Sequence, residues 1–267
     1  MKVPDSRAVA SALVALALAS LGVGHAQGTA QRFEPGEALT YDVTWSIFPA
    51  GEVTATLRSV AGGPKDAYEV TTTARSQGFV SLLFDVRNEF HSLFDPQTLC
   101  SQKIVKKINE GRRHKDTSIV FDGARKLAIL DERDLSHANA PPKHAENEIP
   151  SCVQDVVTAF YFLRRQNFQV GQAIRLPIND GSKTYDVSVE VQARERIQTP
   201  LGTRDAFRVE PKVFSGLFKR KGRILIWFSD DEQRLPLRIK AMVWAGSITG
   251  TLKSVSRTPT ASPAAER

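Results

Sequence analysis

The sequence predicts a mainly β protein: an antiparallel, strongly curved sheet or open β-barrel with one main α-helix packed on the concave side. Polar and apolar residues alternate with period two through most of the chain, which is typical of strands with one buried face. Short turns rich in Gly, Pro, Asp and Asn separate these runs, whereas parallel strands would need longer connections. Only the segment 151–166 has extended helical spacing.

The predicted strands form a series of meanders. A strand over 41–47 turns at 49–51 and returns over 53–57. Further strands are predicted over 67–75, 85–94, 98–108, 113–122, 126–131, 183–194, 204–213, 221–229 and 236–254, with a short helical turn over 79–84.

The main helix is predicted over 151–166. Ser151 stands at the cap position and Gln154 three residues later, which is the pattern of a capping box. Val157 and Phe160 then belong to an apolar stripe at helical spacing. Such a stripe needs a surface to cover, so we expect the helix to lie on the concave face of the sheet.

Three segments are expected to lie outside the folded β structure. Residues 1–26 combine early cations, an apolar run and small residues before Ala26, which is the pattern of a secretory signal peptide. A membrane anchor is the alternative, but the run is shorter than the roughly 20 apolar residues that span a bilayer. Residues 133–149 read as a mobile loop and 256–267 as a disordered tail. This leaves 27–255 as a single β domain.

These features predict an exported protein, periplasmic or secreted, that does not span the membrane. The formal net charge of +7 favours anionic envelope surfaces, although a merely solvated basic surface is the alternative. Cys100 and Cys152 are the only cysteines, and two thiols in an oxidising compartment most simply pair. Two buried free thiols are the alternative. Nucleic acid is not expected as a partner, because no binding module is recognisable.

One short strand occurs twice in the sequence. AGEVTATLRSV at 50–60 and AGSITGTLKSV at 245–255 are identical at seven of eleven positions. Each copy alternates an apolar face with a face of Thr and a cation. Ala55 and Gly250 put a small residue at the centre of the buried face, which leaves room for a helix side chain or a ligand. Duplication and convergence of Thr- and Val-rich strands both remain open as the origin.

No constellation of catalytic or metal-ligating residues stands out. The histidines are scattered, and no HExxH motif, GxSxG elbow or dinucleotide fingerprint occurs. Asp230, Asp231 and Glu232 are adjacent acids, but a solvated hairpin turn explains them better than a metal site. We therefore predict no catalytic residue, no cofactor and no metal. An enzyme acting on polysaccharide is the least favoured alternative, because it needs two converging carboxylates.

A curved sheet that one helix only partly covers predicts an apolar cavity for a lipid-like or amphiphilic ligand. The candidate lining residues are Trp45, Ile47, Leu57, Val157, Phe160, Leu225, Trp227, Val243 and Ile248. Cations beside apolar residues are candidates for a basic rim, namely Lys106, Arg112, Arg113, Lys115, Lys219, Arg220 and Lys221. The alternative is a structural or interaction module that binds another envelope protein or an anionic glycan through basic hairpins and edge strands.

A resemblance to a known family rests on six segments: GEALTYDVTWSIFPAGEVT (36–54), ARSQGFVSLLFDVRNEFHSLFDPQTL (74–99), VQDVVTAFYFLR (153–164), GSKTYDVSVEV (181–191), TPLGTRDAFRVEPKV (199–213) and LFKRKGRILIWFSDDEQRLPLRI (217–239). With them the chain resembles the DUF3108 family of exported bacterial proteins, which has no assigned activity. The pattern at 226–239 is also similar to β-hairpins of the LolA/LolB lipoprotein-carrier fold. That second similarity is an analogy of fold and implies no site residue.

Overall fold

The structure, a computed structural model, describes residues 32–60, 67–137, 139–213, 222–243 and 246–258, with the side chains of 213 and 243 left out. The predicted signal peptide at 1–26 lies outside these ranges. The elements of the described residues are β1 (Glu37–Trp45), β2 (Phe48–Val60), β3 (Ala67–Ser76), α1 (Gly78–Leu83), β4 (Arg87–Phe94), β5 (Ser101–Glu110), β6 (Arg113–Asp122), β7 (Leu127–Asp134), β8 (Lys143–Glu148), α2 (Thr158–Arg164), β9 (Ala173–Asn179), β10 (Thr184–Thr199), β11 (Gly202–Val213), β12 (Ile224–Ser229), β13 (Pro236–Val243) and β14 (Gly246–Arg257).

All of these strands belong to one antiparallel sheet. Its order is β8-β7-β6-β5-β4-β3-β2-β1-β14-β13-β12-β11-β10-β9, so β1 lies in the interior of the sheet and β8 and β9 form its edges. Most neighbouring strands are also consecutive in sequence, and the pairing of β1 with β14 joins the first and last strands of the described residues. The predicted antiparallel, barrel-like sheet is confirmed.

The two edges come close without forming a ladder with each other. Asn179 Nδ2 donates to Asn147 Oδ1 at 2.8 Å, and Asn147 Nδ2 donates to the carbonyl oxygen of Gly181 at 2.8 Å. Gln154, which precedes α2, forms a parallel bridge with Ile178 of β9. The sheet is therefore an open barrel whose edges are linked by side chains and by one inner segment.

The two similar strands found in the sequence are the two neighbours of β1. One lies in β2 and the other in β14, and both run antiparallel to β1. Each copy needs a glycine near its start, because atoms of a neighbouring segment lie where a Cβ would stand. A Cβ on Gly51 would lie 2.1 Å from the carbonyl oxygen of Arg75, and one on Gly246 would lie 2.2 Å from Ser46 Oγ. The two copies thus flank the same strand, and each has a steric reason for its glycine.

The main helix is shorter than predicted, because α2 begins at Thr158 rather than at 151. Asp155 supplies the capping side chain: its Oδ1 accepts the backbone N–H groups of Val157 at 2.7 Å and Thr158 at 3.1 Å. Ser151 and Gln154 do not form a capping box. Their segment instead satisfies its backbone groups by pairing with β9, so tertiary contacts override the local capping signal.

The predicted loop over 133–149 needs correction too. β7 continues to Asp134, and Lys143–Glu148 forms the edge strand β8, paired with β7. Its sequence is polar because an edge strand carries charges that discourage pairing with other chains. The predicted tail also starts too early, since β14 extends to Arg257 opposite Glu37.

α2 packs on the concave face, as predicted. Ala159 and Leu163 belong to a hydrophobic cluster with residues of β9 to β12, whereas Tyr161 contacts the other half of the sheet through Leu57 and Phe94. The disulfide between Cys100 and Cys152 is formed and closes a separation of 52 residues. It ties the start of β5 to the segment that leads into the helix.

A buried ion pair fixes the far end of α2. Arg164 Nη1 and Nη2 donate to the two carboxylate oxygens of Glu37 at 2.6 and 2.9 Å, and both side chains are only 1% exposed. Arg164 also donates to the carbonyl oxygen of Arg32 and lies over the ring of Phe33. Burial alone would lower the pKa of Arg164, but the hydrogen bonds and charge of Glu37 outweigh it, and the pKa is raised.

Substituting one member of this pair should cost far more than substituting both. Glu37→Gln leaves the Arg164 charge uncompensated in the interior, and we expect a loss of about 3–5 kcal/mol in the free energy of unfolding. The double variant Glu37→Leu with Arg164→Met should lose clearly less than the sum of the single variants. Urea unfolding of the complete double-mutant cycle measures this, and additive losses would contradict the account.

Candidate ligand cavity

Two adjoining cavities lie between α2 and the concave face of the sheet. The first cavity has a volume of about 670 Å³, and its apolar walls include Leu176, Ile178, Val187, Val189, Ile224 and Ile226. The second cavity has a volume of about 360 Å³, and its walls include Leu39, Tyr41, Val53, Val70, Phe90 and Ala241. Val156, Phe160 and Ile239 line both, so the two cavities share a partition.

The cavities exist because the helix is short and the opposing residues are small. α2 has seven residues and lies inside a sheet of fourteen strands, so it fills only part of the interior. Ala55 and Gly250, the small residues of the two similar strands, both line the second cavity. Val156 is 47% exposed even though it borders both cavities. Apolar surface therefore remains uncovered inside the fold.

A buried polar cluster borders the first cavity at the start of α2. Asp155 is 1% exposed, and its Oδ2 accepts hydrogen bonds from the hydroxyls of Ser92 at 2.7 Å, Ser101 at 2.8 Å and Thr158 at 2.9 Å. Because its other carboxylate oxygen caps the helix, the carboxylate is saturated with donors. Its role is to position α2 against β4 and β5.

Charged side chains lie at another part of the first cavity. Glu210 accepts hydrogen bonds from Lys212 and Arg223, each at 2.7 Å, and from Gln192. Burial acts to raise the pKa of Glu210, but these donors outweigh it and hold the pKa at about 2. Lys212 and Arg223 lie on either side of 214–221, a segment outside the described residues.

Four of the nine predicted lining residues lie at or beside the cavities. Phe160 lines both cavities, while Val157 and Ile248 line the second. Leu57 is fully buried in the adjoining hydrophobic cluster rather than in a cavity wall. Helical spacing was the signal for Val157 and Phe160, and strand alternation was the signal for Leu57 and Ile248.

The other predicted lining residues lie elsewhere. Trp45 and Ile47 are 36% and 84% exposed near the β1–β2 turn. Leu225 and Trp227 are buried, but on the face of β12 opposite Ile224 and Ile226, where Trp227 Nε1 donates to Glu195 Oε1 at 2.5 Å. β12 is apolar on both faces, so alternation could not indicate which one lines the cavity. The side chain of Val243 is not among those described.

The structure describes four of the seven residues predicted for the basic rim, and their surroundings differ. Lys106 lines the first cavity, Lys115 pairs with Glu132 at 2.8 Å, and Arg112 and Arg113 are exposed at the β5–β6 turn. The remaining three candidates, Lys219, Arg220 and Lys221, lie outside the described residues. The position of Lys106 follows from strand alternation, because Ile104 on the same face of β5 also lines the cavity.

The described residues hold no group of three or more His, Cys, Asp or Glu side chains arranged to bind a metal ion. The adjacent acids at 230–232 lie in the β12–β13 turn, as predicted. There Asp231 Oδ1 accepts the backbone N–H groups of Gln233 and Arg234, so this carboxylate shapes the turn.

Comparison with known families assigns the chain. Residues 40–253 match the family described as "Protein of unknown function (DUF3108)". The protein belongs to the DUF3108 family. No curated protein matches it. None of the helices that the structure describes is long and apolar enough to cross a membrane.

Solved structures show a similar fold in another family. A β-barrel-like protein of the DUF1849 family from Brucella abortus is 9% identical, with a TM-score of 0.53 over 84% of this DUF3108 chain and 98% of its own. A candidate exported protein of YmcC-like fold from Bacteroides fragilis is 8% identical, with a TM-score of 0.36 over 84% and 97%. A candidate lipoprotein from Parabacteroides distasonis is 10% identical, with a TM-score of 0.28 over 84% and 96%. Only the first similarity is strong enough to support the fold.

The ionic cluster around Glu210 should make stability depend on pH. Its folded pKa of about 2 lies below the usual 4.5, so ionised Glu210 stabilises the fold above that usual value. This contribution is lost as the pH falls through about 2. Glu210→Gln should therefore be less stable than wild type near neutrality, and the two should converge on acidification. Urea unfolding across this pH range measures the difference, and a constant gap would contradict the assignment.

Proposed function

We propose that this protein is an exported envelope protein that binds a lipid-like or amphiphilic ligand in the first and second cavities without catalysing a reaction. The observation that carries the proposal is the pair of adjoining, mainly apolar cavities on the concave face. A volume of about 670 Å³ lies within the range of roughly 300–1,000 Å³ that is typical of small-molecule sites. The second cavity extends the available apolar surface past Phe160.

A ligand with an apolar chain fits these walls for an energetic reason. A ligand that covers exposed apolar surface, such as that of Val156, removes it from water. Each Å² removed contributes about 25 cal/mol to the free energy of binding. The charged residues of the first cavity suit a ligand that also has a polar end. An amphiphile satisfies both conditions, whereas a fully polar ligand would leave the apolar walls uncovered.

Export is supported by two independent features. The first 26 residues have the pattern of a cleavable signal peptide. The disulfide between Cys100 and Cys152 is of the kind that persists in oxidising compartments such as the periplasm. The periplasm, or secretion from it, is therefore the proposed location.

The carboxylates of the first cavity argue against hydrolysis of a polysaccharide. Asp155 and Glu210 are each held by several donors, as described above. Asp180 accepts hydrogen bonds from Ser182, Lys183 and the hydroxyl of Tyr185. Burial opposes ionisation of Asp180, but these donors outweigh it and lower its pKa. The donors thus lower the pKa of both Glu210 and Asp180, whereas a general acid requires a raised pKa.

Filling the cavities should weaken ligand binding without unfolding the protein. Ile178→Trp adds bulk to the first cavity, and Gly250→Leu adds it to the second, where a Cβ has an ordinary contact at 3.9 Å from Tyr41. We expect each variant to bind the neutral dye Nile red about tenfold more weakly, a change of about 1.4 kcal/mol.

Arg175→Trp and Thr249→Leu are matched controls, since Arg175 is exposed on β9 and Thr249 is the neighbour of Gly250 on the opposite face of β14. Circular dichroism checks that all four variants fold. Unchanged dye affinity in both cavity variants, or an equal loss in the controls, would reject the cavities as the binding site.

The second candidate function is an interaction module, and the exposed cations at the β5–β6 turn favour it. Arg112→Gln with Arg113→Gln should abolish capture of an anionic envelope protein or glycan if this candidate is correct, and capture should be sensitive to salt. The amphiphile-binding proposal expects unchanged dye affinity in this double variant. Pull-down from envelope extracts at low and high salt, run beside the dye titration, separates the two functions.

A further inference from the structure

Lys106 is an unusual component of an apolar wall. It lies on β5 two residues after Ile104, and both side chains line the first cavity. Its neighbour Lys107 is exposed and points to the other face of the strand. Burial lowers the pKa of Lys106, and the charge of Lys115 acts in the same direction. Together they outweigh the opposing influence of Asp155, Asp180 and Glu132.

The other charged groups of the first cavity have partners. Asp155 and Asp180 are engaged by hydroxyl and backbone donors, and Glu210 is paired with both Lys212 and Arg223. Among the residues that the structure describes, the Lys106 ammonium makes no side-chain hydrogen bond and no ion pair, and the nearby Glu132 is paired with Lys115 instead. The cavity thus contains one cation whose charge is not matched by direct contact.

A partly buried ammonium without a contact partner has lost part of its hydration, and no direct contact offsets that loss. Its neighbouring carboxylates cannot easily turn towards it, since each would first have to give up the donors that hold it. The space in front of Lys106 is the first cavity itself. A ligand group that enters the cavity can therefore supply the missing negative charge.

We infer that Lys106 holds the head of an anionic amphiphile, a carboxylate or a phosphate monoester, while the apolar chain lies along the first cavity towards Phe160. The inference rests on the proposed function and narrows its ligand class. The ammonium donates charge-assisted hydrogen bonds to the oxygen atoms of the head. The branched apolar residues of β9, β10 and β12 contact the chain.

The experiment compares three ligands that share one chain: oleate, oleyl phosphate and oleyl alcohol. Each is titrated into protein carrying Nile red, and dye displacement gives its affinity. In Lys106→Met we expect oleate and oleyl phosphate to bind about tenfold more weakly or worse, because a charge-assisted contact is lost. Oleyl alcohol should bind with unchanged affinity. The anion that binds the wild-type protein more tightly shows which head group the site prefers.

Lys107→Met is the matched control, because it removes the same charge from the same strand on the opposite face. It should leave all three affinities unchanged. Lys106→Arg should retain selectivity for the anions over the alcohol. Without ligand, Lys106→Met should unfold at the same temperature as wild type or higher, because it removes an uncompensated buried charge.

The possible failures are distinguishable. If Lys106→Met weakens oleyl alcohol as much as the anions, the residue shapes the cavity and does not bind a charged head, so the inference is overturned. Unchanged anion affinity in Lys106→Met overturns it as well. If wild-type protein binds neither Nile red nor oleyl alcohol, the proposed function is rejected. The inference of an anionic ligand is then rejected as well, because it rests on that function.

Discussion

The buried ion pair between Arg164 and Glu37 is the interaction on which the interior arrangement depends. It joins the last residue of α2 to the first residue of β1, and β1 lies in the interior of the sheet. At the other end of the helix, Asp155 binds hydroxyls from two further strands. A seven-residue helix has little stability of its own, so these buried contacts at its two ends determine where it lies.

The position of the helix in turn creates the cavities. With both of its ends fixed, α2 cannot move towards either half of the sheet to close the space on its flank. Phe160 and Val156 project between the two halves, and small residues on the central strands leave that space unfilled. Binding an amphiphile would cover the apolar surface that the fold leaves exposed, without any rearrangement of the sheet.

Much of the sheet could be predicted because its strands follow simple alternation. Two turns could also be predicted, because FDPQTL (94–99) and FSDDEQRL (228–235) resemble each other. In both, an Asp carboxylate accepts two backbone N–H groups, and the turn contains a residue with positive φ, Leu99 or Arg234. The features that the sequence could not reveal depend on contacts between segments that are distant in sequence. Ser151 and Gln154 have the pattern of a capping box, but their segment pairs with β9 instead. The strand β8 was predicted as a loop because it lies at an edge and its residues are polar.

The sequence predicted an apolar cavity, but only some of the residues predicted to line it lie at one. Period-two alternation assigns a residue to one of two faces, and it succeeded for Ile248 in β14. It failed for Trp227, because β12 is buried on both sides and nothing local distinguishes them. Lys106 was predicted for the basic rim rather than for the cavity wall, since a single sequence cannot show that a charged residue faces the interior of a curved sheet.

Native mass spectrometry of the exported protein, purified gently from a periplasmic fraction, tests the central claim most directly. The account predicts a second species, heavier by the mass of one bound amphiphile, that disappears on denaturation and is recovered in a lipid extract. A single ligand-free mass, unchanged after incubation with oleate, would contradict it. That result would favour an interaction through the exposed basic turn between β5 and β6.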